Sequence, residues 1–108
     1  MPNAQITMKD LYEKLPNLSK SDVVLDVRSP EEYKEAHIPN ALNIPVTVMA
    51  ERAQELKKYD HVYIHCMFGS RAKIAFQILK EAGLTNLVCI HDAGMDAWIK
   101  SGYPVAKD

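Results

Sequence analysis

His61-Val62-Tyr63-Ile64-His65-Cys66-Met67-Phe68-Gly69-Ser70-Arg71 is the stretch on which the reading of this chain turns. Its first half is a short apolar run rich in strand-forming residues, the pattern of a buried strand. A thiol follows, then a short loop, and then the helical stretch Ala72 to Glu81; Ile74, Ala75, Ile78 and Leu79, with Ala82 just beyond, recur at helical spacing. Cys66 therefore falls where a strand hands its chain to a helix N-terminus. Unpaired backbone N–H groups and the positive end of the helix dipole converge there, which suits a thiolate or a bound anion. A lone thiol on a strand more often serves as a small apolar side chain, and that is the plain alternative. The residues after it favour a reactive, nucleophilic Cys66. Gly69 lets the backbone approach closely, Ser70 adds a hydroxyl and Arg71 adds a permanent cation. N–H groups curling around the sulfur would form an anion-binding nest.

Outward from this stretch, short apolar strands alternate with helical patterns, as in a parallel α/β sheet. Thr7, with Asp10 three residues on, reads as the N-cap of a short helix carrying Leu11 and Leu15. Val23-Val24-Leu25-Asp26 is the first clear buried strand. Ser29-Pro30-Glu31-Glu32 is a capping box with proline at the first helical position, and His37-Ile38-Pro39-Asn40 ends that helix. Ala41 to Ile44 reads as a brief strand, and Val48 to Lys57 as a helix with Met49, Ala53 and Leu56 facing inward. Gly83 is a good residue to follow the helix after Cys66. Leu87 to Ile90 is a further strand, and Ala93 to Lys100 the last helix, closed by Gly102 and Pro104. The expected fold is α/β, a central parallel sheet of four to five strands with helices on both faces, in one domain over residues 1–108. Ligands of such sheets bind at the carboxyl ends of the strands, where Cys66 sits.

Composition narrows the function classes. The chain is 47% hydrophobic and 25% charged, with thirteen basic and fourteen acidic residues and a net charge of −1. No global field would draw it to nucleic acid or to a membrane surface. The tightest basic pair, Lys57-Lys58, is balanced by Glu51, Glu55 and Asp60. Cys66 and Cys89 form neither a metal-spaced cluster nor a disulfide framework. His61, His65 and His91 lack a recognisable ligand spacing, so no metal is expected. Met1 to Gln5 carries no basic region leading into an apolar stretch, and no apolar run is long enough to span a bilayer. A reduced, cytoplasmic setting is the expectation.

With these motifs in order, the chain resembles a rhodanese domain, the single-domain sulfurtransferase module. The loop Cys66-x-x-Gly69-x-Arg71 is similar to that family's active-site pattern. Leu25-Asp26-Val27-Arg28, Glu31-Glu32-Tyr33 and His37-Ile38-Pro39-Asn40-Ala41 resemble its first signature. Gly94, Trp98 and Gly102-Tyr103-Pro104-Val105 resemble its C-terminal one, so the likeness extends from about Ile6 to Val105. The resemblance implies that a Cys66 thiolate takes the outer sulfur of a donor such as thiosulfate or a persulfide. A thiol or protein-cysteine acceptor then removes it, with no metal or organic cofactor. Cys66 would be the catalytic residue, with Met67, Phe68, Gly69, Ser70, Arg71 and Arg28 around the substrate. Related phosphatases and arsenate reductases use a seven-residue loop that admits a tetrahedral oxyanion. Here Cys66 to Arg71 counts six residues, which favours a single sulfur atom over phosphate.

Two departures stand out. Many members carry a basic residue directly after the cysteine, whereas here Met67 and Phe68 follow it. That removes a charge that could capture small dianions, so a persulfide on a small thiol or a partner protein is the expected better donor. The glycine pair common before the last helix is Ala93-Gly94. Of the remaining candidates, Arg71 is assigned to the anion site, with pairing to Asp26 or Glu32 as the alternative. Arg28 is open between substrate steering and structure. Asp26 is read as a structural hydrogen bonder, His37 as a loop anchor, Cys89 and Trp98 as core. His65 precedes the nucleophile on a strand, so its side chain points to the other face and is not the base for Cys66. A sulfur-relay or partner-binding module with little turnover alone is the competing function.

Overall fold

In a computed structural model, which describes residues 3–107, the alternation of strands and helices is realised along the whole chain. Met1 and Pro2, part of the N-terminal stretch read above, lie outside the described residues, as does Asp108. The strands are β1 (Ala4–Ile6), β2 (Asp22–Asp26), β3 (Leu42–Asn43), β4 (His61–His65) and β5 (Leu87–Ile90). The helices are α1 (Met8–Lys14), α2 (Pro30–Glu35), α3 (Met49–Arg52), α4 (Ser70–Glu81) and α5 (Gly94–Lys100). All five strands lie parallel in the order β1-β5-β4-β2-β3.

Side-chain alternation divides the interior in two. Val23, Leu25, Val62, Ile64, Leu87 and Cys89 face one core with Ala72, Ala75 and Leu79 of α4 and Met49 of α3. Val24, Tyr63, Val88 and Ile90 face the other, with Met8 and Leu11 of α1 and Met95 and Trp98 of α5. Helices thus cover both faces, as the sequence predicts. Each fully buried leucine or isoleucine among these contributes roughly 1.5–3 kcal/mol. Trp98 is wholly buried, and its indole N–H donates to the Pro104 carbonyl at 2.7 Å, tying the C-terminal segment down. No helix among the described residues is long and apolar enough to cross a membrane.

Two local expectations need correction. The helix foreseen over Val48 to Lys57 is broken into a 3-10 turn (Val46–Val48), the short α3, and a second 3-10 turn (Ala53–Leu56). Val48 and Arg52 sit near φ −115° and −108°, off the α-helical basin, although Met49, Ala53 and Leu56 point inward as expected. Crowded β-branched residues at Val46-Thr47-Val48 disfavour a regular helix start. The Ala41–Ile44 strand shrinks to Leu42–Asn43 on the sheet edge, where only one neighbour supplies hydrogen bonds. Ile74 is 54% exposed, because the buried line of α4 runs through Ala72, Ala75 and Leu79 and places Ile74 beside it.

The sheet's carboxyl edge is where the loops converge. Two short helices that begin there are held by capping boxes, Thr7 with Asp10 for α1 and Ser29 with Glu32 for α2. Asp92, just past β5, accepts from the Met8 N–H at 3.1 Å, joining that edge to the start of α1.

Candidate active site

Cys66 follows the last residue of β4, and its Sγ is met by two backbone donors. The Gly69 N–H reaches it at 3.0 Å and the Ala72 N–H at 3.2 Å. The second belongs to the first turn of the twelve-residue α4, whose early N–H groups have no partner within the helix. The loop therefore directs fixed partial positive charge at the sulfur. Cys66 is 1% exposed, so these donors act with little competition from water.

Two glycines make the loop possible. Gly69 has φ +99°, and a Cβ there would lie 2.9 Å from the Asp92 carbonyl oxygen. Gly94 opens α5 at φ +55°, and a Cβ there would come within 2.1 Å of the Cys66 carbonyl oxygen. That close approach lets the Met95 and Asp96 N–H groups donate to the Cys66 and Met67 carbonyls at 2.8 and 3.1 Å. The N-terminus of α5 thus clamps the backbone of the Cys66 loop.

Around this centre the candidate residues separate. Met67 is half-buried against the α1/α5 core, whereas Phe68 is 69% exposed at the loop's rim and Ser70 is exposed at the start of α4. Arg71 does not reach for the sulfur. Both arms of its guanidinium are forked onto Glu32, at 2.6 and 3.0 Å, the second of the two alternatives raised for it. The Arg71 hydrogen bond, assisted by Ser29, holds the Glu32 carboxyl down at about 2. Arg71 in turn holds its proton more firmly than usual, chiefly through its hydrogen bonds to Glu32.

Arg28 is removed from the rim altogether. It is 1% exposed, with Nε and one terminal nitrogen on Asp26 at 2.9 and 2.7 Å and a further bond to the Ala36 carbonyl at 2.7 Å. This geometry makes it a buried tie between β2 and the end of α2, and corrects the expectation that it contacts substrate. Asp26 has the structural part expected of it, accepting the Arg28 backbone N–H as well at 3.0 Å.

His65 lies on the face opposite Cys66, fully buried. Its Nε2 has no hydrogen-bond partner and stands 3.9 Å from Asp26, too far for a bond. Burial, reinforced by Arg28, keeps its imidazole below the ordinary range despite Asp26. The ring is therefore neutral, and the pair is not an ion pair. His37 holds its loop through Nδ1 and the Tyr33 carbonyl at 2.7 Å, with the two rings stacked at 3.8 Å. Cys89 is buried beside Ile64 of β4, and burial pushes its thiol up.

Two features of the site escaped the sequence reading. The Ala72 donor is backbone and leaves no trace in residue type. The clamp at Gly94 was visible only as a glycine before a helix.

The chain matches the rhodanese-like domain family over residues 7–101 and belongs to it. It is 39% identical over 94 residues to the putative sulfur carrier protein YrkF of Bacillus subtilis, covering 87% of this chain and 50% of that one. A sulfurtransferase of Allochromatium vinosum is 28% identical over 101 residues, with 94% of this chain and 92% of the relative covered. The crystal structure of a rhodanese-related protein from Thermoplasma volcanium superposes with a TM-score of 0.83 at 34% identity, covering 97% and 99% of the two chains. The chain thus spans half the length of the Bacillus relative and nearly all of the other two.

Proposed function

We infer that this chain is a sulfurtransferase that moves sulfane sulfur from thiosulfate or a persulfide to a thiol or protein-cysteine acceptor, through a persulfide on Cys66. The observation that carries the reading is the pair of N–H groups on Cys66 Sγ at 3.0 and 3.2 Å. The thiolate attacks the donor's outer sulfur, forming a new S–S bond while the donor's S–S bond breaks. Its inner group leaves with the electron pair, as sulfite from thiosulfate or as a thiolate from a persulfide. The charge stays near the same backbone donors, which need no rearrangement to stabilise it. An acceptor thiolate then attacks the outer sulfur and returns Cys66 to its starting state, a two-step covalent course.

A relay role between proteins is supported by a separate observation. Phe68 presents an exposed aromatic ring two residues from the nucleophile, a surface suited to a protein partner. The name of the Bacillus relative, a sulfur carrier, points the same way.

Intact-mass measurement tests the reading. Wild-type protein and Cys89→Ser are expected to gain one sulfur atom from thiosulfate or cysteine persulfide, and to lose it to cyanide. Cys66→Ser is expected to gain none. Loading of Cys89 instead, or no loading from either donor, would sink the assignment. Fast cyanide-dependent turnover would favour an independent enzyme, and loading without turnover a relay.

A further inference from the structure

Resting on the reading of Cys66 as a sulfur carrier, the remaining question is which donor the site admits. The charges at its rim are already spent. Arg71 has both arms on Glu32, and Glu32 is itself anchored by the Ser29 N–H at 3.0 Å and hydroxyl at 3.1 Å. Arg28 is consumed by Asp26 in the interior. The two residues after the nucleophile, Met67 and Phe68, carry no charge. Beside the loop lies a groove of about 310 Å³, bordered by Ser29, Thr47 and the Glu32-held Arg71 and walled by Val27, Pro30, Pro45 and Val46. It offers mainly apolar surface, suited to an organic group.

We propose that Glu32 is a positioning residue that sets donor class. By holding the Arg71 guanidinium it withholds that cation from anionic donors, so the site takes sulfur from an organic persulfide in preference to thiosulfate. The organic part of the donor lies along the Val27–Pro45 groove, and its outer sulfur meets Cys66. The step balances without a further reactant: the Cys66 thiolate bonds to the outer sulfur of R–S–SH, the donor S–S bond breaks, and R–S⁻ departs. The product is Cys66–S–SH.

Glu32→Gln separates charge from structure, because glutamine also serves in a capping box and keeps an acceptor for the Ser29 N–H. Removing the carboxylate's charge leaves Arg71 uncompensated near the sulfur. In this variant the KM for thiosulfate is expected to fall about tenfold, with kcat within about twofold, given a few ångströms' separation and a partly screened site. The KM for cysteine persulfide is expected to fall clearly less than that for thiosulfate, since that donor carries the smaller negative charge. A purely structural role for Glu32 would move both donors together. An unchanged ratio of kcat/KM for the two donors would overturn the proposal.

The wild-type protein supplies an arm that does not depend on the variant's folding. Its KM for thiosulfate is expected to be nearly flat with ionic strength, whereas a free cation at the rim would make it rise steeply with salt. A steep rise, or a wild-type preference for thiosulfate, refutes the proposal. Should neither donor load Cys66 at all, the sulfurtransferase reading itself fails, a result distinguishable from these.

Discussion

At the scale of single residues, the site depends on where charge is allowed to rest. Cys66 receives two backbone donors, Arg71 is matched by Glu32, and His65 is kept neutral by burial. His65 ties stability to pH with a definite sign. The unfolded chain takes up a proton as pH falls through the ordinary histidine value of 6.5, while the buried ring resists doing so. Stability conferred by this arrangement is complete above that value and is lost progressively below it, with a slope approaching about 1.4 kcal/mol per pH unit. Thermal unfolding is therefore expected to move to lower temperature between about pH 7 and about pH 5, and His65→Gln is expected to flatten that dependence. An identical slope in the variant would show that other groups carry it. The residue itself was legible in the chain, and so was its direction, because neighbours on a strand alternate faces. Its missing partner was not, since that depends on Asp26 standing 3.9 Å away on the adjacent strand.

At the scale of elements, the loop between β4 and α4 is shaped by α5 as much as by its own residues. The start of α5 donates to the carbonyls of Cys66 and Met67, and only a residue without a Cβ fits at Gly94. Gly94→Ala must push the helix and the loop apart. The expected cost is about 1–3 kcal/mol in chemical denaturation, accompanied by slower sulfur loading of Cys66. Gly102→Ala serves as the comparison, because nothing lies within 4 Å of the added carbon and the site is distant in the chain. Equal loading rates in the two variants would argue against the clamp. Element ends were read well from sequence wherever capping residues act within one turn, as at Thr7 and Ser29. The segment after β3 was misread as one helix, because its inward spacing at Met49, Ala53 and Leu56 is compatible with tighter 3-10 turns as well.

At the scale of the whole molecule, strand order brings the site together. β2, β4 and β5 lie side by side, so the segments after Asp26, His65 and Ile90 meet at one edge. The pair Asp26–Arg28 locks that edge, reaching from β2 to the carbonyl of Ala36 beyond α2. Asp26→Asn would leave the Arg28 guanidinium buried without its countercharge. A loss of about 3–5 kcal/mol is expected, measured as a lower denaturation midpoint. A shift below about 1 kcal/mol would mean that water or a rearranged side chain compensates the arginine.

The sequence by itself determined the strand–loop–helix around Cys66 and the parallel α/β architecture, and three ordered motifs between about Ile6 and Val105 carried the family resemblance. The first two follow from periodicity and caps, interactions within a few positions of one another. Tertiary structure alone decided that Arg71 faces Glu32, that Arg28 is buried, that Ile74 is exposed and that α5 seats on the Cys66 carbonyl. Each of these joins or separates groups according to how strands are ordered and helices rotated against the sheet. That choice is made by the fit of the whole core, which no local stretch of the chain contains.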